Sequence, residues 1–316
     1  MRALCFDRVL ELRTDYPDPP PAAGESVVRV ALAGICGTDL EITRGYMAYR
    51  GVPGHEFVGR VVESADRALS GRRVVGEINA GCGRCRACAD GLARHCPNRT
   101  VLGILGRDGA FAEYLRLPDA NLKPLPDALA DAAAVFVEPL AAAFEIFAQA
   151  ALKRSDRIAI LGDGRLGAMV ALTLQAEDFA PIVAGRHREK LARLAGLGLT
   201  VADAAALEPG YDVVIDCTGN PHGLTRAIEL ARPRGTIILK STAAAGAAIN
   251  LAPIVINEIT VIGSRCGRFE PAIGALAAGR IDPRPLIDEI LPLEDGVAAF
   301  GLAADQSRFK ILLRPS

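Results

Sequence analysis

Between about Ala141 and Arg268, short apolar segments alternate with helical ones, and this alternation constrains the fold of the chain more than any other feature. The apolar segments predict strands at 157–162, 180–185, 211–217, 235–240 and 258–264. The segments between them, such as "REKLARLAGLG", have the period and length of helices. Strands that alternate with helices build a parallel sheet with helices on both faces. The sequence therefore predicts an α/β fold with a doubly wound parallel sheet over residues 141–268.

The first predicted strand leads directly into a glycine fingerprint, Gly162-x-Gly164-x-x-Gly167. Gly162 permits a tight turn, Gly164 lets the backbone approach a pyrophosphate, and Gly167 allows a helix to pack closely on the strand. The helix that follows presents free N–H groups and the positive end of its dipole to the phosphates. We therefore predict a Rossmann dinucleotide-binding domain whose cofactor contacts are Gly162, Gly164, Leu166 and Gly167. The alternative is a glycine-rich turn without a ligand.

The tip of the second predicted strand bears on the choice between NAD and NADP. In NAD-binding domains this tip normally carries a carboxylate for the ribose hydroxyls. Here the strand ends at Gly185, and Arg186 and Arg188 follow it. An arginine fork suits a 2′-phosphate. We therefore predict that Gly185, Arg186 and Arg188 contact the cofactor and that NADP is preferred to NAD. Alternatively, the two arginines are solvated and either cofactor is accepted.

The first 140 residues differ in sequence pattern from residues 141–268 and are rich in runs of β-branched residues. Short strand candidates are "SVVRVALAGI", "FVGRVVES", "GRRVVGEI" and "GAFAEYLRLP", with Gly, Pro and Asp between them. This pattern predicts a β-rich domain over residues 1–140. After about Phe269 the alternation of strands and helices ends, and "EPAIGALAAGRI" leads into a short tail.

Four cysteines, Cys82, Cys85, Cys88 and Cys96, lie close together in the chain. Three thiolates at a spacing of three residues, with a fourth after a short loop, can close a tetrahedron of sulfur around zinc. Because all four positions are then filled, such a zinc organises its lobe and has no vertex left for a substrate. The alternative, two disulfides, requires an oxidising compartment.

Composition and charge exclude some classes of partner. The net charge is −1 and the chain has no Trp, so neither nucleic acid nor an anionic membrane is favoured. The apolar segment at 132–152 is long enough to span a bilayer, but Glu138, Pro139, Glu145 and Gln149 interrupt it, which favours a buried helix. The N-terminus mixes charged and apolar residues and does not resemble a secretory signal. We therefore expect a cytoplasmic protein without nucleic-acid or membrane partners.

A sparser set of metal-binding side chains precedes the glycine fingerprint. "GICGTDLE" contains Cys36, "GVPGHEFVGR" contains His55 and Glu56, and "VFVEPLA" contains Glu138. Taken singly, a cysteine at a turn is usually a small core residue, and a histidine beside a glutamate is usually a satisfied polar pair. These motifs can be interpreted together only from their order along the chain.

That order resembles the order found in the zinc-containing medium-chain alcohol and polyol dehydrogenases, over nearly the whole chain. In that family GICGTD precedes GHE with F-V-G, and the cysteine lobe, EPL and the glycine fingerprint follow. The matching segments here are 34–39, 54–59, 82–96, 138–140 and 162–167. The resemblance implies a GroES-like β-rich catalytic domain formed by 1–140 and 269–316, and a Rossmann domain at 141–268.

The resemblance also implies two zinc ions per chain. A catalytic zinc would be held by Cys36 and His55, with Glu56 and Glu138 as carboxylate ligands, one of them through water or in exchange with it. Glu138 stands where many family members carry a second cysteine, which is similar to the polyol and threonine dehydrogenase branch. Asp39 would orient the His55 ring through its other nitrogen. The four-cysteine lobe would hold the structural zinc.

The implied reaction is the reversible oxidation of a secondary alcohol, a polyol or an amino alcohol by hydride transfer to NAD(P). Thr38 matches the family's hydroxyl residue, which passes the proton away from the alkoxide. Glu41 stands where family members often carry a histidine at the outer end of this relay, so either Glu41 passes the proton to solvent or water does. Thr38, Glu41 and Glu56 form the predicted catalytic set.

Two rival functions stay open at this point. A zinc-free NADPH reductase of the quinone reductase type would lack the ligand cysteine and the lobe that this chain has. A dinucleotide-binding sensor or structural protein that kept zinc but lost turnover would have no need for an open zinc site. The resemblance further implies a small-molecule substrate and a homodimer or homotetramer, in which the sheet edge from "GTIILK" to "EITVIGS" would pair across a two-fold axis.

Overall fold

A computed structural model of the protein describes residues 1–242 and 248–315. The strands are β1 (Ala3–Phe6), β2 (Leu10–Arg13), β3 (Glu25–Gly34), β4 (Glu56–Glu63), β5 (Arg73–Gly76), β6 (Asn79–Ala80), β7 (Thr100–Val101), β8 (Tyr114–Pro118), β9 (Leu122–Pro124), β10 (Ile158–Leu161), β11 (Ile182–Gly185), β12 (Thr200–Asp203), β13 (Tyr211–Asp216), β14 (Ala231–Leu239), β15 (Thr260–Gly263), β16 (Ile287–Pro292) and β17 (Lys310–Arg314). The α-helices are α1 (Gly37–Ile42), α2 (Arg86–Ala89), α3 (Asp131–Ala134), α4 (Val137–Gln149), α5 (Arg165–Ala176), α6 (Arg188–Gly196), α7 (Gly223–Leu230), α8 (Ala252–Ile256), α9 (Phe269–Ala277) and α10 (Gly296–Ala304).

The described chain divides into two compact units. The first unit comprises Met1–Glu138 together with Phe269–Ser316, and the second comprises Pro139–Arg268. Each unit has its own sheet, so each can be described from the strands that it contains.

The second unit contains the predicted parallel sheet, so the predicted α/β fold is confirmed. Its strand order is β12-β11-β10-β13-β14-β15, and every neighbouring pair is parallel. The strand β10 is buried along its whole length, as expected for a central strand covered by helices on both faces. The order reverses between β10 and β13, and in doubly wound sheets ligands bind outside the carboxyl ends of the strands at such a point.

Two details of the fold differ from the sequence prediction. The sheet has a sixth strand, β12, which pairs in parallel with β11. It was missed because "TVAD" is short and lies at the sheet edge with exposed ends, so it lacks the long apolar run of a central strand. The segment 132–152, predicted to be one buried helix, forms α3 and α4 instead.

No helix in the described part of the chain is long and apolar enough to cross a membrane.

The first unit is built on a seven-stranded sheet, in agreement with the predicted β-rich domain. Its order is β16-β17-β3-β4-β5-β9, and β8 also pairs with β3. The long strand β3 is central because it pairs with β4, β8 and β17.

The segment after Phe269 is more than the short tail that its sequence suggested. It contributes β16 and β17 to the seven-stranded sheet and two helices, α9 and α10, to the first unit. The strand β17, "KILLR", is buried except at Arg314, and the ring of Phe300 on α10 packs edge-on against Phe111 with the centroids 5.6 Å apart. These apolar contacts fix the end of the chain in the core of the unit.

Candidate active site

Three of the four predicted ligands of the catalytic zinc lie together in the first unit. Cys36 follows the end of β3 and precedes α1, whereas His55 precedes β4 and Glu56 begins it. Because β3 and β4 are antiparallel and Gly34 lies opposite Glu56, the end of one strand meets the start of the other. One possible ligand atom from each of Cys36, His55 and Glu56 lies within 4.8 Å of the others. His55 and Glu56 are buried, so a metal at this point would be largely shielded from solvent.

The carboxylate of Asp39, which is 0% exposed, links the two segments that carry these ligands. Its Oδ2 accepts a hydrogen bond from the Cys36 N–H at 2.8 Å, and its Oδ1 accepts one from the Gly54 N–H at 3.2 Å. The Nδ1 atom of His55 is 3.2 Å from Oδ1. Since Nδ1 faces Asp39, the Nε2 atom is the ring nitrogen that remains for a metal.

The charges around His55 suit a metal-binding imidazole. Burial opposes a charge on the ring, but the Asp39 carboxylate and the Cys36 thiol outweigh it and raise the pKa of His55 well above its ordinary value. The metal-free pocket therefore attracts a positive charge at the position of the ring. A divalent cation supplies this charge when it displaces the proton, which is the usual coupling between metal binding and proton release.

A buried lysine that the sequence analysis missed pairs with Glu56. Lys310, the first residue of β17, places its Nζ against Oε2 of Glu56, and the two side chains are 3% and 1% exposed. The same Nζ is 3.4 Å from the carbonyl oxygen of Ile35 and 5.7 Å from the centre of the Phe136 ring. Lys310 belongs to none of the motifs and is distant from Glu56 in sequence. The sequence does contain one indication of this pair. Lys310 is the first residue of the apolar segment "KILLR", and a lysine buried in such a strand needs a partner of opposite charge.

The remaining predicted residues of this site occupy different positions. Glu138, the second residue of α4, is half-buried and lies outside the group formed by Cys36, His55 and Glu56. Thr38 is half-buried in the first turn of α1. Glu41, one turn further, accepts a hydrogen bond from Arg44 at 2.6 Å, and its side chain is 43% exposed. The helix α1 thus leads from the buried ligands towards the protein surface.

The four clustered cysteines form a second group of possible metal ligands. The sulfur atoms of Cys82, Cys85, Cys88 and Cys96 all lie within 4.8 Å of one another. The Cys85 sulfur is 3.6 Å from those of Cys88 and Cys96, close to the ~3.8 Å edge of a tetrahedron with zinc–sulfur bonds of about 2.3 Å. All eight cysteines are free, so the alternative of two disulfides is wrong. The backbone N–H of Arg84 helps to lower the pKa of Cys82 to about 6, which favours a thiolate.

The glycine fingerprint in the second unit has the backbone geometry that a dinucleotide requires. Gly162 has a φ of +110°, and a Cβ there would lie 2.8 Å from the carbonyl oxygen of Cys217. Gly164 caps α5 without a side-chain hydrogen bond, and a Cβ there would meet no atom within 4 Å. A Cβ on Gly167 would overlap the carbonyl oxygen of Gly162. The open N-terminus of α5, with Leu166 in its first turn, therefore fits a pyrophosphate.

The tip of β11 presents the two predicted arginines to solvent. Arg186 and Arg188 are both exposed, and they follow the buried Gly185 at the carboxyl end of the strand. The next strand tip, Asp203 of β12, lies in register with Gly185. Its carboxylate accepts a hydrogen bond from Ala205 at 2.8 Å.

Both units match known families. Residues 22–127 match the family model of the alcohol dehydrogenase GroES-like domain, and residues 165–278 match that of the zinc-binding dehydrogenases. An L-threonine 3-dehydrogenase from Streptomyces avermitilis is 34% identical, with 95% of this chain and 94% of that protein covered.

Two solved structures are similar over nearly the whole chain. An alcohol dehydrogenase, rspB, from Escherichia coli in complex with NADH has a TM-score of 0.90 at 28% identity, with 99% of each chain covered. A zinc-binding dehydrogenase from Sinorhizobium meliloti bound to NADP has a TM-score of 0.90 at 27% identity, again with 99% of each chain covered.

The chain therefore belongs to the zinc-containing medium-chain alcohol dehydrogenases. It is an NAD(P)-dependent oxidoreductase that uses zinc and interconverts an alcohol and its carbonyl compound by hydride transfer. The donor sets described above fit this class, because a thiolate, an imidazole and a carboxylate are ligands of catalytic zinc, and four thiolates are those of structural zinc.

Replacing one cysteine from each group will separate the two metal centres. We expect Cys36→Ser to lose one zinc per chain and nearly all turnover while the fold survives, because the lobe keeps its own metal. We expect Cys88→Ser to lose the other zinc and to lower the melting temperature, because its lobe loses a ligand. Metal analysis, thermal unfolding and turnover of both variants test this assignment. Loss of the same zinc in both variants would contradict it.

A Lys310→Met substitution will show whether Lys310 and a bound metal both compensate the negative charge of Glu56. Without metal, Glu56 would keep a buried charge and lose its partner, so we expect a loss of about 3–5 kcal/mol in unfolding free energy. With zinc bound the loss is expected to be smaller, since the ion then balances the charge. Denaturant unfolding with and without a chelator measures the difference. The matched control is Lys123→Met, whose partly exposed ammonium pairs with Glu270 at 3.1 Å. Equal losses in both metal states would contradict the expectation.

Proposed function

We propose that the chain oxidises a secondary alcohol group of a polyol or amino alcohol at a zinc ion bound by Cys36 and His55. Glu56 and Glu138 are the carboxylate ligands, one of them through water or in exchange with it. The observation that carries the proposal is the group of half-buried Cys36 with buried His55 and Glu56, which includes one cysteine only. Unlike the four-thiolate lobe, this group leaves room for a substrate oxygen. Similar proteins include a sorbitol dehydrogenase from Halalkalibacterium halodurans that is 27% identical, besides the L-threonine 3-dehydrogenase.

Each residue of the site has a role in the proposed reaction. Zinc in this site would act as a Lewis acid that lowers the pKa of a bound alcohol. Asp39 keeps the His55 ring turned so that Nε2 faces the metal. Lys310 balances the charge of Glu56 while that carboxylate is not a ligand. A bound oxidised nicotinamide would accept the hydride, with its electron pair, from the alcohol carbon, which would become the carbonyl carbon.

The proton of the alcohol leaves along α1 in this proposal. Thr38 relays it, because its hydroxyl oxygen accepts the proton while the hydroxyl gives up its own towards Glu41; Thr38 lies in the first turn beside the ligand Cys36. Glu41 passes it to solvent, because its carboxylate is partly exposed at the next turn and is held by Arg44. This arrangement replaces the histidine that many family members use at the outer end of the relay.

Two substitutions test this proton path. Thr38→Val is expected to lower kcat by about 10²–10⁴-fold with little change in cofactor affinity, because the general acid–base step is lost. Glu41→Gln is expected to alter the shape of the pH–rate profile while zinc content stays unchanged. Steady-state kinetics between pH 5 and 10 with either variant measure both effects. An unaltered profile for Glu41→Gln would mean that water carries the proton at that step.

Substrate class and cofactor are tested together. We expect turnover, followed by nicotinamide absorbance, with at least one member of a panel of polyols, secondary alcohols and L-threonine. We also propose that NADP is preferred to NAD, because Arg186 and Arg188 are exposed at the tip of β11 and residues 185–188 include no Asp or Glu. Zinc-loaded protein without turnover on any panel member would favour a non-catalytic sensor instead. Tighter binding of NADH than of NADPH would contradict the cofactor preference.

We further propose that the protein is a cytoplasmic homodimer or a tetramer built from such dimers. The edge strand β15 pairs on one side with β14, and its Val261 is 38% exposed. Nearby in sequence, Val255 and Ile256 of α8 are 76% and 77% exposed, which is unusual for large apolar side chains. Two copies of β15 related by a two-fold axis would pair and cover these residues. The free thiols of the zinc lobe suit a reducing compartment.

A charge on this edge tests the dimer. We expect Val261→Lys to shift the protein towards the monomer, because two like charges would meet across the two-fold axis. The matched control is Val62→Lys, which places the same charge at a valine that is 51% exposed on β4 of the first unit. Light scattering coupled to gel filtration gives the mass of each variant. A dimer or tetramer that persists in Val261→Lys would contradict the proposed edge.

A further inference from the structure

One carboxylate of the second unit lies inside the glycine fingerprint. Asp163 stands between Gly162 and Gly164 and is 6% exposed. A buried carboxylate beside a phosphate-binding loop is unexpected, because its charge repels the phosphates that the loop would bind. Such a residue needs a compensating role or compensating partners.

The partners of Asp163 all belong to the turn that follows β11. Its Oδ2 accepts hydrogen bonds from the backbone N–H groups of Arg186 at 2.9 Å and His187 at 2.8 Å. The Nδ1 atom of the His187 ring is 3.0 Å from Oδ1 and 3.1 Å from Oδ2. The carboxylate therefore sits in a nest of two successive N–H groups, closed on one side by an imidazole.

The sequence of the turn is adapted to this carboxylate. A Cβ on Gly185 would overlap the Asp163 side chain, so the strand must end in glycine for the turn to close around the carboxylate. Burial alone would raise the pKa of Asp163, but the hydrogen bonds from His187 and Arg186 outweigh it and lower the pKa. Asp163 is therefore ionised at neutral pH, and hydrogen bonds to an ionised acceptor are the strong ones.

We propose that Asp163 is a positioning residue that sets the cofactor preference by fixing the turn at 185–187. With the backbone of this turn held, the exposed side chains of Arg186 and Arg188 are presented to a 2′-phosphate. This inference rests on the proposed NADP preference and deepens it. NAD-binding domains place a carboxylate at the strand tip for the ribose hydroxyls. Here a carboxylate lies in the fingerprint loop instead, where two backbone N–H groups and the His187 ring contact it.

Two physical accounts of Asp163 make opposite predictions. If it acts by holding the turn, its loss weakens binding of a 2′-phosphate, because Arg186 is no longer fixed. If it acts by repulsion of the phosphate, its loss strengthens that binding. The contacts favour the first account, since the N–H groups and the imidazole of the turn engage both oxygens of the carboxylate.

The test uses the zinc-loaded protein and two small probes, adenosine 2′,5′-bisphosphate and adenosine 5′-phosphate, with dissociation constants from isothermal titration calorimetry. Asp163→Asn keeps the shape of the side chain and removes its charge. We expect it to weaken binding of the bisphosphate about tenfold or more and to change binding of the monophosphate less than about threefold. The matched control is Asp203→Asn, which removes an equal charge at the neighbouring strand tip, where the carboxylate accepts a hydrogen bond from Ala205 and not from the turn. We expect it to leave the ratio of the two constants unchanged.

A double-mutant cycle shows whether Asp163 acts through Arg186. Arg186→Ala should lower the preference for the bisphosphate by itself, and adding Asp163→Asn should then have little further effect. Full additivity would overturn the positioning role. So would equal weakening of both probes in Asp163→Asn, which indicates damage to the phosphate loop, or tighter binding of the bisphosphate, which indicates repulsion.

The outcomes also separate this inference from the cofactor preference on which it rests. A wild-type protein that binds both probes equally would contradict the NADP preference and the specificity role together. A wild-type preference that persists in Asp163→Asn would contradict the role of Asp163 alone. Retained binding of adenosine 5′-phosphate shows that the variant is folded at the loop.

Discussion

The buried carboxylate of Asp39 is the contact on which the proposed catalytic site depends. It accepts the N–H of Cys36 with one oxygen and the N–H of Gly54 with the other, and it also lies against the ring of His55. The segments that carry Cys36 and His55 adjoin two paired antiparallel strands, and Asp39 joins these segments directly beyond the last paired residues. A fully buried acidic group is costly unless its oxygens are satisfied, so the fold around it is strongly constrained.

The four-cysteine lobe and the group of Cys36, His55 and Glu56 differ in their donor atoms and in the residues that balance their negative charge. In the lobe, four thiolates close the coordination sphere, and the site is formed within one short stretch of chain. At Cys36 and His55 the chain supplies a mixed set of donors, and the charge of Glu56 is balanced by Lys310 from the last strand. A carboxylate with an alternative cationic partner can approach or leave a metal at lower cost than one buried alone. The proposed reactive site is thus the one that draws its residues from distant parts of the chain.

The parts of this architecture that were predictable from sequence are those encoded in contiguous segments. The parallel sheet of the second unit follows from apolar runs separated by helices. The glycine fingerprint and the four-cysteine lobe follow from spacing alone, and the gathering of Cys36, His55 and Glu56 was expected from the family resemblance. The strand β12 was missed because a short edge strand has little apolar patterning of its own.

Other features could not be read from the sequence because they join residues that no local pattern connects. The Lys310–Glu56 pair depends on the antiparallel placement of β17 beside β3, which a sequence of this kind does not specify. The contacts of Asp163 with Arg186 and His187 require the close approach of two strand ends in the second unit. The role of Glu138 as a zinc ligand stays a prediction, since it lies outside the group of three donors.

The central claim is that one chain holds a closed zinc on four thiolates and an open zinc on Cys36 and His55. X-ray absorption at the zinc edge, combined with metal analysis, tests it most directly. The account predicts two zinc ions per chain that share the five thiolates of Cys36, Cys82, Cys85, Cys88 and Cys96, so the averaged first shell holds between two and three sulfur atoms with nitrogen and oxygen completing it. A single zinc per chain surrounded by four sulfur atoms would contradict the open site, and with it the proposed mechanism.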